Sequence, residues 1–481
     1  MSELTPAPDW RPTRRALLAC GGVSIASLAL ADLLRAERQG TASAGGLPLH
    51  APHHAPKAKR VVYLHMAGAP SHLDLFDPKP KLGELDGQEC PASFLASERF
   101  AFIKGTPKIL GSPHAFAREA RTGFDFSALV PGLASVADKL CVVRSMRTTQ
   151  FNHVPAQILL HTGHFRMGRP SFGAWTSYGL GALDRDLPSF VVLTSGRYGP
   201  DAGASLWGSG FLPGVHQGVR FLSHGDPVLH LADPAGCERD DRRRTLDALG
   251  DLNRIAARER GDPEIETRIA QYELAYRMQA SVPQLVDFAA EPAHVLERYG
   301  AKADEPSFAR NCVLARRLLE SGVRFVQLYH WGWDSHGTSP DDDIVTSLPQ
   351  RCRECDRPSA ALLAELDERG LLEDTLFVWG GEFGRTPMNE ARDGSKFLGR
   401  DHHPHAFTML LAGGGLKRGF RLGATDELGY FVTEDPVTPF DLNATLLHLL
   451  GFDHEKLVYR FQGRDFRLTD VEGRVVEQLL A

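Results

Sequence analysis

Short apolar runs, each closed by glycine or polar residues, recur along the chain. Arg60–His65 (RVVYLH), Leu140–Arg144 (LCVVR), Phe190–Thr194 (FVVLT), Val323–Leu328 (VRFVQL), Thr375–Gly381 (TLFVWGG) and Phe407–Ala412 (FTMLLA) are too short for helices. They are apolar on successive positions, as strands covered on both faces are. Between them the spacing turns helical: from Val154 to Leu160, over Ser307–Ser321, near Leu348–Gly370, and over Pro439–Leu450 with Gly451 as a stop signal. Alternating strand and helix with long connections predict an α/β fold with a parallel sheet sandwiched by helices.

Some stretches fall outside that rhythm. The segment from the first strand to about Ala137 reads as irregular. Residues 196–225 form a Gly/Trp-rich loop too long for an ordinary connection, expected to be a lid or substrate wall. The charged stretch 239–281, split by Gly261-Asp262-Pro263, predicts a helical hairpin packed on the outside. Residues 45–58 (GGLPLHAPHHAPKA) have the composition of a disordered spacer. Before them, Thr13-Arg14-Arg15-Ala16-Leu17-Leu18 has the form of a twin-arginine export signal. A weakly apolar run to Leu34 and a small-x-small Ala42-Ser43-Ala44 cleavage site follow. Asp32 and the glycines in that run argue against a permanent membrane span. The expected organisation is a signal peptide over 1–44, a linker over 45–58 and one α/β domain over 59–478, exported to the periplasm or beyond.

With 481 residues, 42% of them hydrophobic, the chain can bury a sizeable core. A net charge of −6 gives no case for nucleic acid or an anionic membrane as partner. Seven cysteines over this length do not make a disulfide scaffold, and Cys352-x-x-Cys355 without a second pair is a weak zinc or redox signal. The 20 histidines change the picture more, because many stand beside glycine or aspartate.

Polar clusters adjoin the predicted strands, where α/β enzymes place their ligands. After the first come Asp74 and Asp77, which either bind metal or brace the turn that Pro78-Lys79-Pro80 favours. After the second come Thr148, Thr149, Asn152 and His153 at a helix start. There a hydroxyl meets free backbone N–H groups and an anion would bind, although Thr149 or Asn152 could equally be an N-cap. Tyr329–Gly337 (YHWGWDSHG) sets Asp334 and His336 two apart. They are expected to be metal ligands, the alternative being a bonded pair in a sharp turn. Glu382 ends a strand between glycines, with Arg385 available for it or for an anionic substrate. In Gly399–His405 (GRDHHPH), one or two of His402, His403 and His405 are expected to ligate. Asp334, His336, Glu382 and these histidines form an all-N/O set. It suits zinc foremost, or iron or manganese; magnesium and calcium suit it less.

The motifs HMAGAPSHLDLFDPKP, WDSHG, GGEFGRTP and GRDHHPHAFTMLLAGGGLKRG, in this order, resemble the family called domain of unknown function 1501. That family is grouped with the alkaline phosphatase and sulfatase superfamily. The resemblance implies an alkaline-phosphatase-like fold, one or two divalent ions at the carboxyl edge of the sheet, and hydrolysis of phosphate or sulfate esters. Substrates would be anionic small molecules or polysaccharide esters. TTQFNHVPAQILLHTG is similar to a nucleotide pyrophosphatase segment, which implies Thr149 as nucleophile and Asn152 on a substrate oxygen. Asp334 and His336 match the superfamily's metal motif. Glu382-Phe383-Gly384 stands where many members have Asp-His-Gly, so a metal-binding imidazole is replaced by Phe383. No Cys/Ser-x-Pro-x-Arg stretch opens a helix, which disfavours formylglycine chemistry. The expectation is an exported metal-dependent ester hydrolase using Thr149, Asn152 and Arg385, with Asp74, Asp334, His336, Glu382, His402 and His405 as metal ligands. The alternative is a non-catalytic binding protein on the same scaffold.

Overall fold

The computed structural model describes residues 50–95, 100–195, 198–222, 227–228, 238–260 and 263–481. The export signal, its cleavage site and the first part of the linker lie outside the described residues.

The strands are β1 Arg60–Ala67, β2 Cys141–Met146, β3 Phe190–Ser195, β4 Val219–Phe221, β5 Phe325–Trp331, β6 Thr375–Gly380, β7 Phe407–Ala412 and β8 Phe420–Leu422. They form one 8-stranded sheet in the order β8-β2-β7-β6-β1-β5-β3-β4. The central strand β1 runs parallel to β5, with Val61 beside Phe325 and Ala67 beside Trp331, and parallel to β6, with His65 beside Gly380. The sheet is mostly parallel, with one departure from the expectation. β7 runs antiparallel to both its neighbours, β6 and β2. Its entrance, rather than its exit, therefore sits at the carboxyl edge of the other strands, and the histidines that precede it arrive beside the polar residues that follow the parallel strands.

Pleating explains why the strands are apolar throughout. Along β1, Val62, Leu64 and Met66 join one buried cluster with Val313, Leu318 and Leu362, while Val61 and Tyr63 join another with Ile158, Trp175 and Leu446. The first cluster takes in α5 (Phe308–Glu320) and α6 (Ser347–Glu368), the second α1 (His153–Thr162), α2 (Phe172–Leu180) and α7 (Pro439–Leu449). α7 shows how locally such helices are specified. Pro439 occupies its first turn, and Thr438 and Asp441 exchange side-chain-to-backbone bonds as a capping box. Gly451 takes φ +91° just beyond its end.

That same helix end overturns the expectation of a disordered spacer for residues 53–58. His53 N–H donates to the Gly451 carbonyl at 2.9 Å, and Lys57 and Ala58 N–H donate to the Leu449 carbonyl, each at 2.9 Å. The last carbonyls of a helix have no partner within it, and this segment supplies them. Within the loop 196–225, expected to be a lid or substrate wall, Val219–Phe221 forms the edge strand β4, parallel to β3. In the stretch expected to be irregular, Phe116–Arg118 pairs with Asp125–Ser127, and Lys108–Ile109 with Met388–Asn389. The hairpin is present as α3 (Arg239–Arg260) and α4 (Pro263–Val286), tied by Arg243 to Glu273 at 2.6 Å. Cys352 and Cys355 are free thiols in the core, and burial pushes both pKa values up, which leaves them unsuited to redox or metal work. Among the described residues no helix is long and apolar enough to cross a membrane.

Candidate metal centre

Three imidazoles converge on one carboxylate oxygen at the carboxyl edge of the sheet. His336 Nε2 lies 2.8 Å from Asp334 Oδ1, and His153 and His402 Nε2 each lie 3.2 Å from the same atom. Asp334 and His336 follow β5, His153 is the first residue of α1 after β2, and His402 precedes β7. The four residues come from three separate stretches of sequence, and the atoms they could offer a metal all lie within 4.8 Å of one another.

The opposite side of each ring shows which nitrogen carries the proton. His153 Nδ1–H donates to Glu382 Oε1 at 2.7 Å, His402 Nδ1–H to the Phe151 carbonyl at 2.6 Å, and His336 Nδ1–H to Glu390 Oε2. Ionised carboxylates and carbonyls only accept, so Nδ1 carries a proton in all three rings, and in the neutral form of each ring it is the Nε2 lone pair that faces inward. An oxygen cannot accept from three imidazoles and Arg385 at once, and His153 Nε2 is buried without a well-directed hydrogen bond. Inward lone pairs, an orphaned buried nitrogen and one anionic oxygen fit a divalent cation better than they fit a hydrogen-bond network.

Charge in the cluster follows from the same contacts. Burial works against ionising Asp334, yet Arg385 and the three imidazoles hold it well below the usual carboxylate range. Burial likewise opposes charge at His153, but the Asp334 and Glu382 carboxylates outweigh it and raise the imidazole from 6.5 to about 9. His336 is raised against burial by Asp334 and Glu390. His402 is lowered to about 4, chiefly by burial, with Arg385 adding to it.

Behind His153 runs a chain of buried polar groups with a single donor direction. Gln327 Nε2 donates to His161 Nδ1 at 3.0 Å, and His161 Nε2–H to His65 Nδ1 at 3.2 Å. His65 Nε2 stands 3.3 Å from Glu382 Oε2. Glu382 Oε1 accepts from Gly68 N–H at 3.1 Å and Gln157 Nε2 at 3.0 Å as well as from His153. Surrounded by donors, Glu382 stays ionised despite full burial, its pKa well below the ordinary value. Glu382→Gln must turn an amide NH₂ toward a ring N–H, so it is expected to lower metal affinity by about 10–100-fold with the fold retained, as competition against a chromogenic chelator would measure.

The expected site residues separate into those inside the cluster and those outside. Asp334, His336 and His402 are in it. Glu382 stands one layer behind, holding His153. Asp74 is elsewhere, clasped by Arg400 through Nε at 2.7 Å and Nη2 at 3.1 Å, with Ser71 Oγ on the same carboxylate at 2.5 Å. His403 Nε2–H donates to the Tyr430 carbonyl at 2.5 Å, away from the cluster, and the His405 ring packs near those of Tyr430 and Phe431. Arg385 donates to the carbonyls of Ala69 and Arg400 at 3.1 Å each, to Gly68 O and to Asp334 Oδ1, which leaves little of it for a substrate. Asn152 is the N-cap of α1, exposed and without a side-chain capping bond, and Thr149 lies before the helix in an open cleft, not in the cluster. Phe383 is neither a ligand nor a gap: its ring lies 5.0 Å from that of His153 and 4.6 Å from that of His402, walling the two.

His153 and Glu390 were not foreseen. His153 stands at a helix start after a strand, a position that draws attention to its hydroxyl and amide neighbours, and the imidazole was the signal to weigh. A second grouping of His336, Glu390 and Asp401 shares His336 through its Nδ1 side. There Asp401 Oδ2 already accepts from Phe102 and Ile103 N–H at 2.8 and 2.9 Å, so it braces the first cluster.

Two glycines make the approach of these segments possible. A Cβ on Gly68, at φ +108°, would lie 2.6 Å from Asp334 N, and one on Gly399 would lie 1.9 Å from the carbonyl carbon of His336. Side chains there would push the two ligands out of place.

A family model described as "Protein of unknown function (DUF1501)" matches residues 58–480. No curated protein matches. Among solved structures, the chain is similar to a protein in the alkaline phosphatase superfamily from Vibrio parahaemolyticus at 12% identity and TM-score 0.35, covering 85% of this chain and 69% of that one. It is similar to the PsFucS1 sulfatase from Pseudoalteromonas sp. at 12% identity and TM-score 0.35, covering 88% and 72%. A third is the lipoteichoic acid synthase LtaP from Listeria monocytogenes, at 11% identity and TM-score 0.35, covering 86% and 76%. Likeness at this level says nothing of chemistry.

Proposed function

The chain belongs to the DUF1501 family, and on that premise we propose that it is an exported metal-dependent hydrolase of phosphate or sulfate esters. The observation that carries the metal is the convergence of three Nε2 atoms on Asp334 Oδ1, each ring fixed from behind by an acceptor. His153, His336, His402 and Asp334 would hold one divalent ion, with zinc the best match to three imidazoles and a carboxylate. When bound, such an ion supplies Lewis acidity toward an ester oxygen and lowers the pKa of water.

The chain's own residues do the rest. Three neutral imidazoles and one carboxylate leave the site with net positive charge once a dication is held, which favours an anionic ester. Arg385 keeps Asp334 ionised. Glu382, Glu390 and the Phe151 carbonyl keep the lone pairs inward, so ion binding costs little reorganisation. The Asp334 side chain is 36% accessible, so the cluster opens to solvent at that carboxylate. Phosphate and sulfate as the ester classes rest on the motif resemblance.

The binding-protein alternative draws on a specific observation: Thr149 stands outside the cluster and Arg385 is engaged, so neither of the groups expected to attack or bind the ester is offered to the cluster. One experiment separates them. Zinc-loaded protein is expected to hold stoichiometric metal and to turn over members of a panel of aryl phosphate, phosphodiester and aryl sulfate, with activity lost to chelation and restored by metal. Stoichiometric metal without turnover favours the binding protein, and protein that takes up no metal sinks both versions of the site.

A further inference from the structure

Beside the cluster lies an open cleft of about 660 Å³. That is within the roughly 300–1,000 Å³ of small-molecule sites and far more than a lone phosphate or sulfate fills. The cleft and the cluster share their walls. In one segment Thr149 and Phe151 line the cleft, while the Phe151 carbonyl holds His402 and His153 enters the cluster. In the other, His402 is in the cluster while Pro404 and His405 line the cleft. The Thr148 N–H bond to the Pro404 carbonyl, 2.8 Å, joins the two segments.

The lining has a definite chemistry. It contains Arg147 and His405 and no carboxylate, in a chain whose net charge is −6. Arg147 is exposed, and among the described residues no hydrogen bond or ion pair engages its guanidinium; only its backbone N–H is bonded, to the Val437 carbonyl at 2.9 Å. The remaining surface is largely apolar, with the rings of Phe151 and Phe440 and the flat faces of Pro404 and Pro439. A cation and apolar rings lining one cleft fit a ring-bearing molecule that carries an anionic group. Arg147 and Phe151 are four residues apart, so their Cα atoms lie within about 14 Å, and Phe151 is itself bonded through its carbonyl to His402 of the cluster.

We propose that this cleft is a subsite in which Arg147 binds a second anionic group of the substrate, whose body stacks on Phe151 and Phe440 while its ester meets the metal centre. The proposal rests on the hydrolase reading for the ester, but not for the anion. The substrate class is then a ring compound bearing two anionic groups, sulfate or phosphate, in place of a simple monoester.

The test is calorimetric titration of the full chain, zinc-loaded and metal-free, with Arg147→Ala and Arg147→Lys. Fructose 1,6-bisphosphate and a disulfated disaccharide serve as two-anion probes, and glucose 6-phosphate and a monosulfated disaccharide as one-anion controls. In the zinc-loaded protein Arg147→Ala is expected to weaken a two-anion probe by at least about 10-fold and a one-anion control by less than about 3-fold, with Arg147→Lys in between. Which two-anion probe shows the loss tells sulfate from phosphate. Equal affinities in wild type and Arg147→Ala for both two-anion probes overturn the subsite, and so does an equal loss for the one-anion controls. Arg147-dependent binding in protein that shows no turnover even when zinc-loaded supports the subsite while removing the hydrolase reading. A folding defect would weaken the one-anion controls as much as the two-anion probes, so it does not imitate the expected result.

Discussion

Asp334→Asn is expected to abolish stoichiometric metal binding, with a loss in affinity exceeding the about 100-fold typical of removing an outer partner of a ligand. The substitution keeps the shape but removes the only anionic oxygen on which His153, His336 and His402 converge, and it leaves Arg385 facing them uncompensated. Any ester hydrolysis should fall with the metal. The informative control is Asp74→Asn. Asp74 and Arg400 are fully buried and bound to each other, so losing that carboxylate strands a buried guanidinium. It should cost about 3–5 kcal/mol of stability, read by urea unfolding, with metal stoichiometry unchanged in the protein that remains folded. If Asp74→Asn removed the metal and Asp334→Asn did not, the centre would have been placed in the wrong acidic residue.

The second large effect is a crossing of two pH dependences. In the metal-free protein the His153 imidazole is raised from 6.5 to about 9, burial being outweighed by Asp334 and Glu382. A raised pKa means the folded state binds the proton more tightly than the unfolded one. The stabilisation is therefore complete below about pH 6.5 and is lost as pH rises through about 9, with an upper limit of about 3 kcal/mol. A metal ion needs the Nε2 lone pair and must displace that proton, so its affinity moves the other way and increases across the same window. Thermal unfolding in chelator should show a melting temperature that falls from pH 6.5 to 9.5, and zinc should flatten or reverse the slope. A metal-free protein whose stability is level over that range would contradict the proton at His153.

Much of the architecture was legible because local rules suffice for it. Runs such as VVYLH and FVQL, apolar on consecutive positions, can only be strands covered on both faces, and the pleat of β1 shows those faces feeding separate cores. Pro439, Thr438 and Gly451 mark the ends of α7 in the sequence as they do in space. The direction of β7 was not legible, since a strand of six apolar residues packs equally well either way. That direction decided how the 402–405 histidines should be understood.

The candidate site divides in the same manner. Asp334 and His336 stand two apart after a strand and announce themselves, and the density of histidine around 402 does so more diffusely. Asp74, Glu382 and His402 are chemically similar candidates in the sequence, each a potential ligand beside a predicted strand. Arg400 lies 326 residues from Asp74, and its approach turns that carboxylate into a structural ion pair. Glu382 faces His153 across 229 residues and becomes the group that orients that imidazole in the cluster. Neighbouring residues suffice for the layered fold, for the sheet edge where the polar clusters gather, and for the pairing of Asp334 with His336 there, because strand periodicity and strand ends are local properties. Long-range packing brings His153 to them, sets Asp74 apart and puts Thr149 in the adjoining cleft. A ligand is defined by where its lone pair points, and that is set by partners brought together from distant parts of the chain.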